Sequence, residues 1–204
     1  MKQRTLAVVS AGLSQPSSTR LLADQLTAAT RDGLDKLGVR LDIEVIELRD
    51  HAHDVVNHTL TGFPSASLKR AIDAVAGAAG LIAVTPIFNA SYSGLFKSFF
   101  DVLPDRALTG RPVLLGATGG TARHSLALEH AVRPMFTYLR SVVVPTSVFA
   151  ATDDWAADSA EGELRGRINR AGRELAEEME RREPVAPADP FALSATFEEL
   201  LSNE

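Results

Sequence analysis

Short apolar runs alternate with longer amphipathic stretches over the first 150 residues. Thr5-Leu6-Ala7-Val8-Val9, closed by Ser10, is a brief run bounded by turn residues and predicts a buried strand over 5–10. Residues 80–85 and 112–118 have the same continuous Val/Ile/Leu/Ala character, which belongs to parallel strands covered on both faces. Residues 40–48 alternate instead, with Leu41, Ile43 and Val45 in one phase and Ile46 and Leu48 in the other, as at a sheet edge. A fifth strand is predicted over 141–150. Helices are predicted over 17–37, 65–78, 94–103 and 124–139, and Pro134 predicts a kink or break in the last. Leu164, Ile168, Ala171, Leu175 and Met179 recur at helical spacing and predict a closing amphipathic helix.

Five strands joined by helices imply right-handed crossovers and a doubly wound α/β sheet. The pattern fits the flavodoxin-like five-stranded parallel sheet of order 2-1-3-4-5, whose ligand sits where strands 1 and 3 diverge. Residues 1–183 form the predicted domain. The tail, 184–204, starts with a proline-rich linker and carries Phe191, Leu193, Phe197, Leu200 and Leu201. That apolar face either packs on a neighbouring subunit or belongs to a loosely ordered tail. Leu95, Phe96, Phe99 and Phe100 add more large apolar side chains than one small sheet easily covers, so association is expected.

Composition narrows the function. The chain has 204 residues, 45% hydrophobic and 23% charged, which is ordinary for one soluble domain. A net charge of −5 without a basic stripe argues against nucleic acid. With no cysteine, disulfides, thiolate metal sites and thiol catalysis are excluded, so any redox chemistry must come from a cofactor. The apolar run after Met1-Lys2-Gln3-Arg4 is too short for a secretory signal, and no segment approaches membrane-span length, so a cytoplasmic protein is expected. His51, His53 and His58 fall in a predicted loop at irregular spacing, without a zinc-type partner motif, and read as solvated rather than metal-binding.

Three strand-to-helix loops carry the candidate chemistry. After the first strand, Ser10-Ala11-Gly12-Leu13-Ser14-Gln15-Pro16-Ser17-Ser18-Thr19-Arg20 leads into a helix N-terminus, where free N–H groups and the helix dipole attract phosphate. Ser10, Ser17, Ser18 and Thr19 could surround a phosphate monoester, with Arg20 supplying charge. After the third strand, which is read as ending at Pro86, comes Pro86-Ile87-Phe88-Asn89-Ala90-Ser91-Tyr92-Ser93-Gly94. Its amide, aromatic ring and free backbone N–H groups suit a flat heterocycle. After the fourth strand, Gly119 and Gly120 in Thr118-Gly119-Gly120-Thr121 permit close backbone approach to a ligand. Each loop has a plainer reading, as a helix cap by Ser17 or Ser18 or a tight turn capped by Thr121. Two of the loops, however, leave the strands that flank the switch point, where a phosphate site beside a flat-ring site suits a mononucleotide flavin. Neither a Walker Gly-Lys-Ser/Thr nor G-x-G-x-x-G occurs. A phosphatase of this architecture would need a cysteine in the first loop, and a receiver domain would need carboxylates where Ser10 and Thr85 stand.

The Ser-rich first loop, T-P-x-(aromatic)-N-x-S-x-x-G-x-x-K and A-T-G-G-x-x-x-H, in this order, resemble the NADPH-dependent FMN reductase family over about residues 5–155. The third region is similar to the flavin reductases that supply reduced FMN to two-component monooxygenases. The resemblance implies that Ser10, Ser17, Ser18 and Thr19 hold the FMN phosphate. It implies that Pro86, Ile87, Phe88 and Asn89 line one edge of the isoalloxazine and that Thr118, Gly119 and Gly120 flank the other. Phe88 stands where the family often has Tyr, so no phenolic hydrogen bond is assigned. The first loop also lacks an early Arg that some relatives carry. The resemblance further implies NAD(P)H as hydride donor, a homodimer or homotetramer, and a flavin-dependent monooxygenase partner. His130 falls where two-component reductases carry an aromatic or imidazole residue near the subunit interface, or is a surface helical histidine. No side chain is assigned a catalytic role, because hydride transfer needs orientation rather than acid–base chemistry. Two alternatives share the fold, a quinone or azo-compound reductase with resident FMN and a flavodoxin-type electron carrier.

Overall fold

The computed structural model describes residues 2–155 and 158–183. Strands β1 (Gln3–Ser10), β2 (Arg40–Glu47), β3 (Gly80–Phe88) and β5 (Pro112–Gly119) run parallel in the order β2-β1-β3-β5. A short strand β4 (Ser91–Tyr92) folds back antiparallel on the end of β3. The fifth position is shared by β6 (Val142–Val143) and β7 (Val148–Ala151), both parallel to β5. The predicted order 2-1-3-4-5 is the observed one, with its last strand split in two.

The split has a local cause. Pro145 lacks an N–H for the ladder, so the strand cannot run unbroken from Val142 to Ala151. Side chains satisfy the freed groups instead. Arg133 donates to the Val144 carbonyl (3.1 Å), the Pro145 carbonyl (3.0 Å) and Ser147 Oγ (2.7 Å). Glu174 accepts from the Thr146 N–H and hydroxyl, each at 2.7 Å.

Both sheet faces are covered, which is why β1, β3 and β5 read as continuous apolar runs. Leu6, Val8, Ile82, Val84 and Leu114 pack under α1 (Ser18–Lys36) and α6 (Asp158–Arg181). Ala7, Val9, Leu81, Ala83, Val113 and Leu115 pack against α2 (Ala52–Thr61), α3 (Ala66–Gly77), α4 (Gly94–Asp101) and α5 (Arg133–Tyr138).

Four expectations are corrected. Phe96, Phe99 and Phe100 are fully or nearly fully buried and contribute nothing to an outer surface. They form an aromatic cluster with Phe136, the ring centroids of Phe96–Phe100 and Phe100–Phe136 lying 4.8 and 4.9 Å apart. His53 and His58 lie on α2, and His51 ends the 3₁₀ turn Leu48–His51 before it, so the stretch is not a loop. β3 does not stop at Pro86 but continues to Phe88. The helix predicted over 124–139, with one kink or break expected at Pro134, is divided further, into a 3₁₀ turn (Ala122–His124), a π-helical turn (Leu128–Val132) and α5, with Pro134 in the first turn of α5. A proline there forfeits a bond that a helix start lacks anyway. The tail, with Phe191 and Leu200, lies outside the described residues. Among the described residues no helix is long and apolar enough to cross a membrane.

Helices α1 and α6 touch backbone to backbone. A Cβ on Gly172 would lie 2.6 Å from Ala29 Cβ and 2.8 Å from the Thr30 nitrogen. Backbone cannot yield as a side-chain tip can, so Gly172→Ala is expected to cost roughly 1–3 kcal/mol and to lower the urea midpoint. Gly166→Ala, on the same helix with open space around it, should hold or raise the midpoint, since alanine favours helix by up to ~1 kcal/mol. Equal midpoints for the two variants would contradict the close crossing.

Candidate functional site

The carboxyl ends of β1, β3 and β5 lie side by side, so the loops leaving them converge. In the first loop, Ser17 is the N-cap of α1, its hydroxyl accepting from the Arg20 N–H at 3.2 Å. The N–H groups of the first helical turn have no intrahelical acceptor, leaving donors at the positive end of a 19-residue helix. Gly12 makes this turn possible, because a Cβ there would fall 2.0 Å from Ser17 Oγ. Thr19 is buried, and its hydroxyl shares a 2.8 Å hydrogen bond with the Thr118 hydroxyl of β5. That bond ties the start of α1 to the third loop across β3.

The second loop is a tight hairpin, not an open loop. Phe88 pairs with Ser91, leaving Asn89 and Ala90 as its two-residue turn, both at positive φ (47° and 67°). Two-residue hairpins of this type require positive φ at both positions, which Asn tolerates and Ala does not favour. The Thr85 hydroxyl holds the hairpin base, accepting from the Ser93 N–H at 3.1 Å and donating to the Pro86 carbonyl at 2.9 Å. Ser93 in turn caps α4 by accepting from the Phe96 N–H.

Between the loops lies a cleft of about 400 Å³. Ser17, Ser18 and Thr19 line one end together with Leu13 and Ser14, and Pro86, Ile87 and Phe88 form one wall. Thr118, Gly119 and Gly120 form the other, joined by Thr152. Two of the predicted residues stand apart. Ser10, the last residue of β1, is fully buried outside the lining, with a hydroxyl that has no hydrogen-bond partner. Asn89 is exposed at the hairpin tip and is not part of the lining. Its place in the sequence is explained by turn geometry, not by an amide directed into the cleft.

Sequence reasoning missed Leu13, Ser14 and Thr152 as lining residues. The first two lie inside the recognised loop, and Thr152 follows directly on β7, the strand beside β5. The position after a strand end was a usable signal for Thr152, but the fifth strand had been read as ending one residue early.

The electrostatics also differ from expectation. Arg20 does not reach toward the cleft as a free cation. Its guanidinium pairs with Asp24 and with Glu47, each at 2.8 Å, and these two bonds raise its pKa above the ordinary value against a smaller desolvation effect. Arg20 therefore offsets the charge of Glu47, which is the sheet partner of Ser10 at the end of β2. None of the side chains lining the cleft is ionisable. His130 is exposed in the π-helical turn, a rare geometry that recurs at functional sites. Among the described residues no group of three or more His, Asp and Glu could hold a metal ion.

Residues 4–156 match the model of a family described as NADPH-dependent FMN reductase. The chain belongs to the NADPH-dependent FMN reductase family. It is 36% identical over 178 residues to the NADH-dependent FMN reductase SfnF of Pseudomonas fluorescens strain Pf0-1, covering 85% of this chain and 91% of that protein. It is 35% identical over 150 residues to an FMN reductase (NADPH) of Pseudomonas aeruginosa, covering 74% and 78% of the two. Among solved structures, an oxidoreductase of Corynebacterium diphtheriae superposes with a TM-score of 0.86 at 44% identity, covering 90% of this chain and 100% of that one. The apo form of the NADH:FMN oxidoreductase EmoB superposes at 0.71 with 32% identity, over 83% and 88%. This family member is an oxidoreductase that reduces FMN with NAD(P)H.

The hairpin geometry separates two roles for Asn89. Asn89→Gly removes the amide but accepts positive φ, and is expected to keep flavin affinity and stability. Asn89→Leu forces a branched residue into that conformation at a cost of about 1–2 kcal/mol, lowering the melting temperature and weakening FMN through the displaced wall. Loss of FMN affinity in a stable Asn89→Gly protein would instead show that the amide touches the ligand.

Proposed function

We propose that FMN occupies the cleft with its phosphate at the N-terminus of α1 and its isoalloxazine between the β3 and β5 walls. On this reading FMN is a diffusible substrate, released after reduction to a flavin-dependent monooxygenase. The carrying observation is the convergence of three loops on one cleft whose phosphate end is a helix N-terminus. The residues present fit the group. Ser17, Ser18 and Thr19 offer hydroxyls beside the free N–H donors of α1, and Gly12 lets the turn close against Ser17. The Ser10 hydroxyl at the end of β1, just before this loop, is buried and unpartnered.

FMN bound here would supply the redox chemistry as the acceptor of a hydride from NAD(P)H. The chain supplies orientation. Pro86, Ile87 and Phe88 present an apolar wall that excludes water from one side, while Thr118 is fixed by its bond to Thr19 and cannot swing into the ring space. With no ionisable side chain in the lining, no proton relay is assigned.

Two observations favour a substrate flavin over a resident one. Arg20 is engaged by carboxylates, so the first loop itself directs no free cation at the phosphate. His130, at the position the two-component reductases give to an interface aromatic or imidazole, lies in a π-helical turn. The protein as purified should be largely colourless, and its NAD(P)H oxidation should rise to saturation with added FMN. A protein that copurifies with one FMN per chain and gains nothing from more would assign it instead to quinone or azo-compound reduction.

We infer a homodimer or homotetramer from side chains other than those of α4. Leu60 (79% exposed) and Phe63 (81%) project from the end of α2, and Leu126 (64%) and Tyr138 (86%) flank the π-helical turn and α5. Exposed apolar clusters of this kind mark association surfaces. Light scattering at micromolar concentration should give a multiple of the chain mass of 21.8 kDa, and a sharp monomer peak would reject the inference.

A further inference from the structure

We propose that Arg49, on the turn after β2, supplies the positive charge of the phosphate end of the cleft. The inference rests on the FMN reading above and extends it to a residue outside all three loops. Among the cations near the first loop, Arg20 is committed to Asp24 and Glu47. Arg49 reaches the loop from the other side. Its Nη1 donates to the Ser14 carbonyl at 3.1 Å, and Ser14 itself lines the cleft. The Gln15 carboxamide, in the orientation that satisfies both groups, accepts from Nη2 at 2.5 Å and from Nη1 at 3.0 Å.

Carboxylates hold this guanidinium more loosely than they hold that of Arg20. Its Nε is buried without a hydrogen-bond partner. Its ion pairs, with Asp50 at 3.6 Å and Glu47 at 4.0 Å, are longer than hydrogen bonds, and Asp50 is 67% exposed. Glu47 Oε1 is instead taken by Arg20 at 2.8 Å. Arg20 therefore competes with Arg49 for Glu47, and Arg49 directs its hydrogen bonds to the backbone and amide of the loop. A largely buried guanidinium (side chain 21% exposed) one residue's carbonyl from the cleft acts through a low dielectric, where its field on a dianionic phosphate is poorly screened. An arginine of this kind rigidifies the loop and attracts phosphate at once, and only the second effect depends on the ligand's charge.

The test compares FMN with riboflavin, which carries the same ring and ribityl chain without the phosphate. Equilibrium titration by flavin fluorescence would be run on the full chain, on Arg49→Gln and on Arg49→Lys. Arg49→Gln is expected to weaken FMN by ~10- to 100-fold, the order expected for losing one opposite charge several ångströms from the phosphate in a partly buried setting, while riboflavin affinity stays within about two-fold. Arg49→Lys, which keeps the charge but not the fork, should recover part of the FMN affinity and steepen its decline with salt. Parallel loss of FMN and riboflavin in both variants would reduce Arg49 to a loop brace and overturn the proposal, as would unchanged affinity for both. Equal affinity of the unaltered protein for FMN and riboflavin would overturn the phosphate assignment itself, an outcome visible before any variant is made.

Discussion

The site depends on where α1 begins. A helix N-terminus has donors that nothing inside the helix can satisfy, and here they are fixed at the end of β1 by packing on the sheet and on α6. Leu22, Leu26 and Leu34 bury the inner stripe of α1 against the sheet, and the glycine-alanine contacts with α6, which packs on the same face, hold its flank. The Ser17 cap and the Thr19–Thr118 bond then set the first turn to within a hydrogen bond's tolerance. Loosening any of these would leave the fold recognisable while moving the donors that define one end of the cleft.

Charge around that end is arranged by neighbours of the loop, not by the loop. Glu47 at the end of β2 would oppose an anion, and Arg20 of α1 neutralises it. Arg20 thus acts indirectly, removing a penalty where a sequence reading would have it add an attraction. The resulting cleft is lined by hydroxyls, small residues and apolar walls without a formal charge of its own. Such a lining suits a polar-edged planar ring more than a metal ion or a proton-transfer reaction.

Strain is concentrated at the hairpin wall. Asn89 and Ala90 both hold positive φ, each a conformation that costs an L residue roughly 1 kcal/mol or more. The Thr85 and Ser93 hydrogen bonds and the β3–β4 pairing over-determine the turn and keep it closed. What they preserve is the position of Phe88, half-exposed at the cleft mouth (47%) and not collapsed onto the core.

The order of the sheet and the three loops of the cleft were legible in the sequence. Their signals are local and repeated: apolar runs covered on both faces, helical periodicity, and hydroxyl or glycine residues at strand ends. Three things were not legible, and each was decided by contacts distant in sequence. Phe96, Phe99 and Phe100 gave a surplus of apolar surface until Phe136, more than thirty residues on, was seen to cover them. The last strand read as continuous although Pro145 breaks it locally; what lay beyond the sequence is that Arg133 and Glu174, on two separate helices, satisfy the backbone freed there. The charges of Arg20 and Arg49 could not be apportioned from composition, because the partners that consume or spare them, Glu47 and Ser14, are brought near only by the pairing of β1 with β2. Sequence alone determined which segments form strands and helices and which strand ends carry ligand-binding residue types. Tertiary structure decided which side chains are free to act, since an ion pair, a buried ring or an unpartnered hydroxyl is a property of two places in the chain at once.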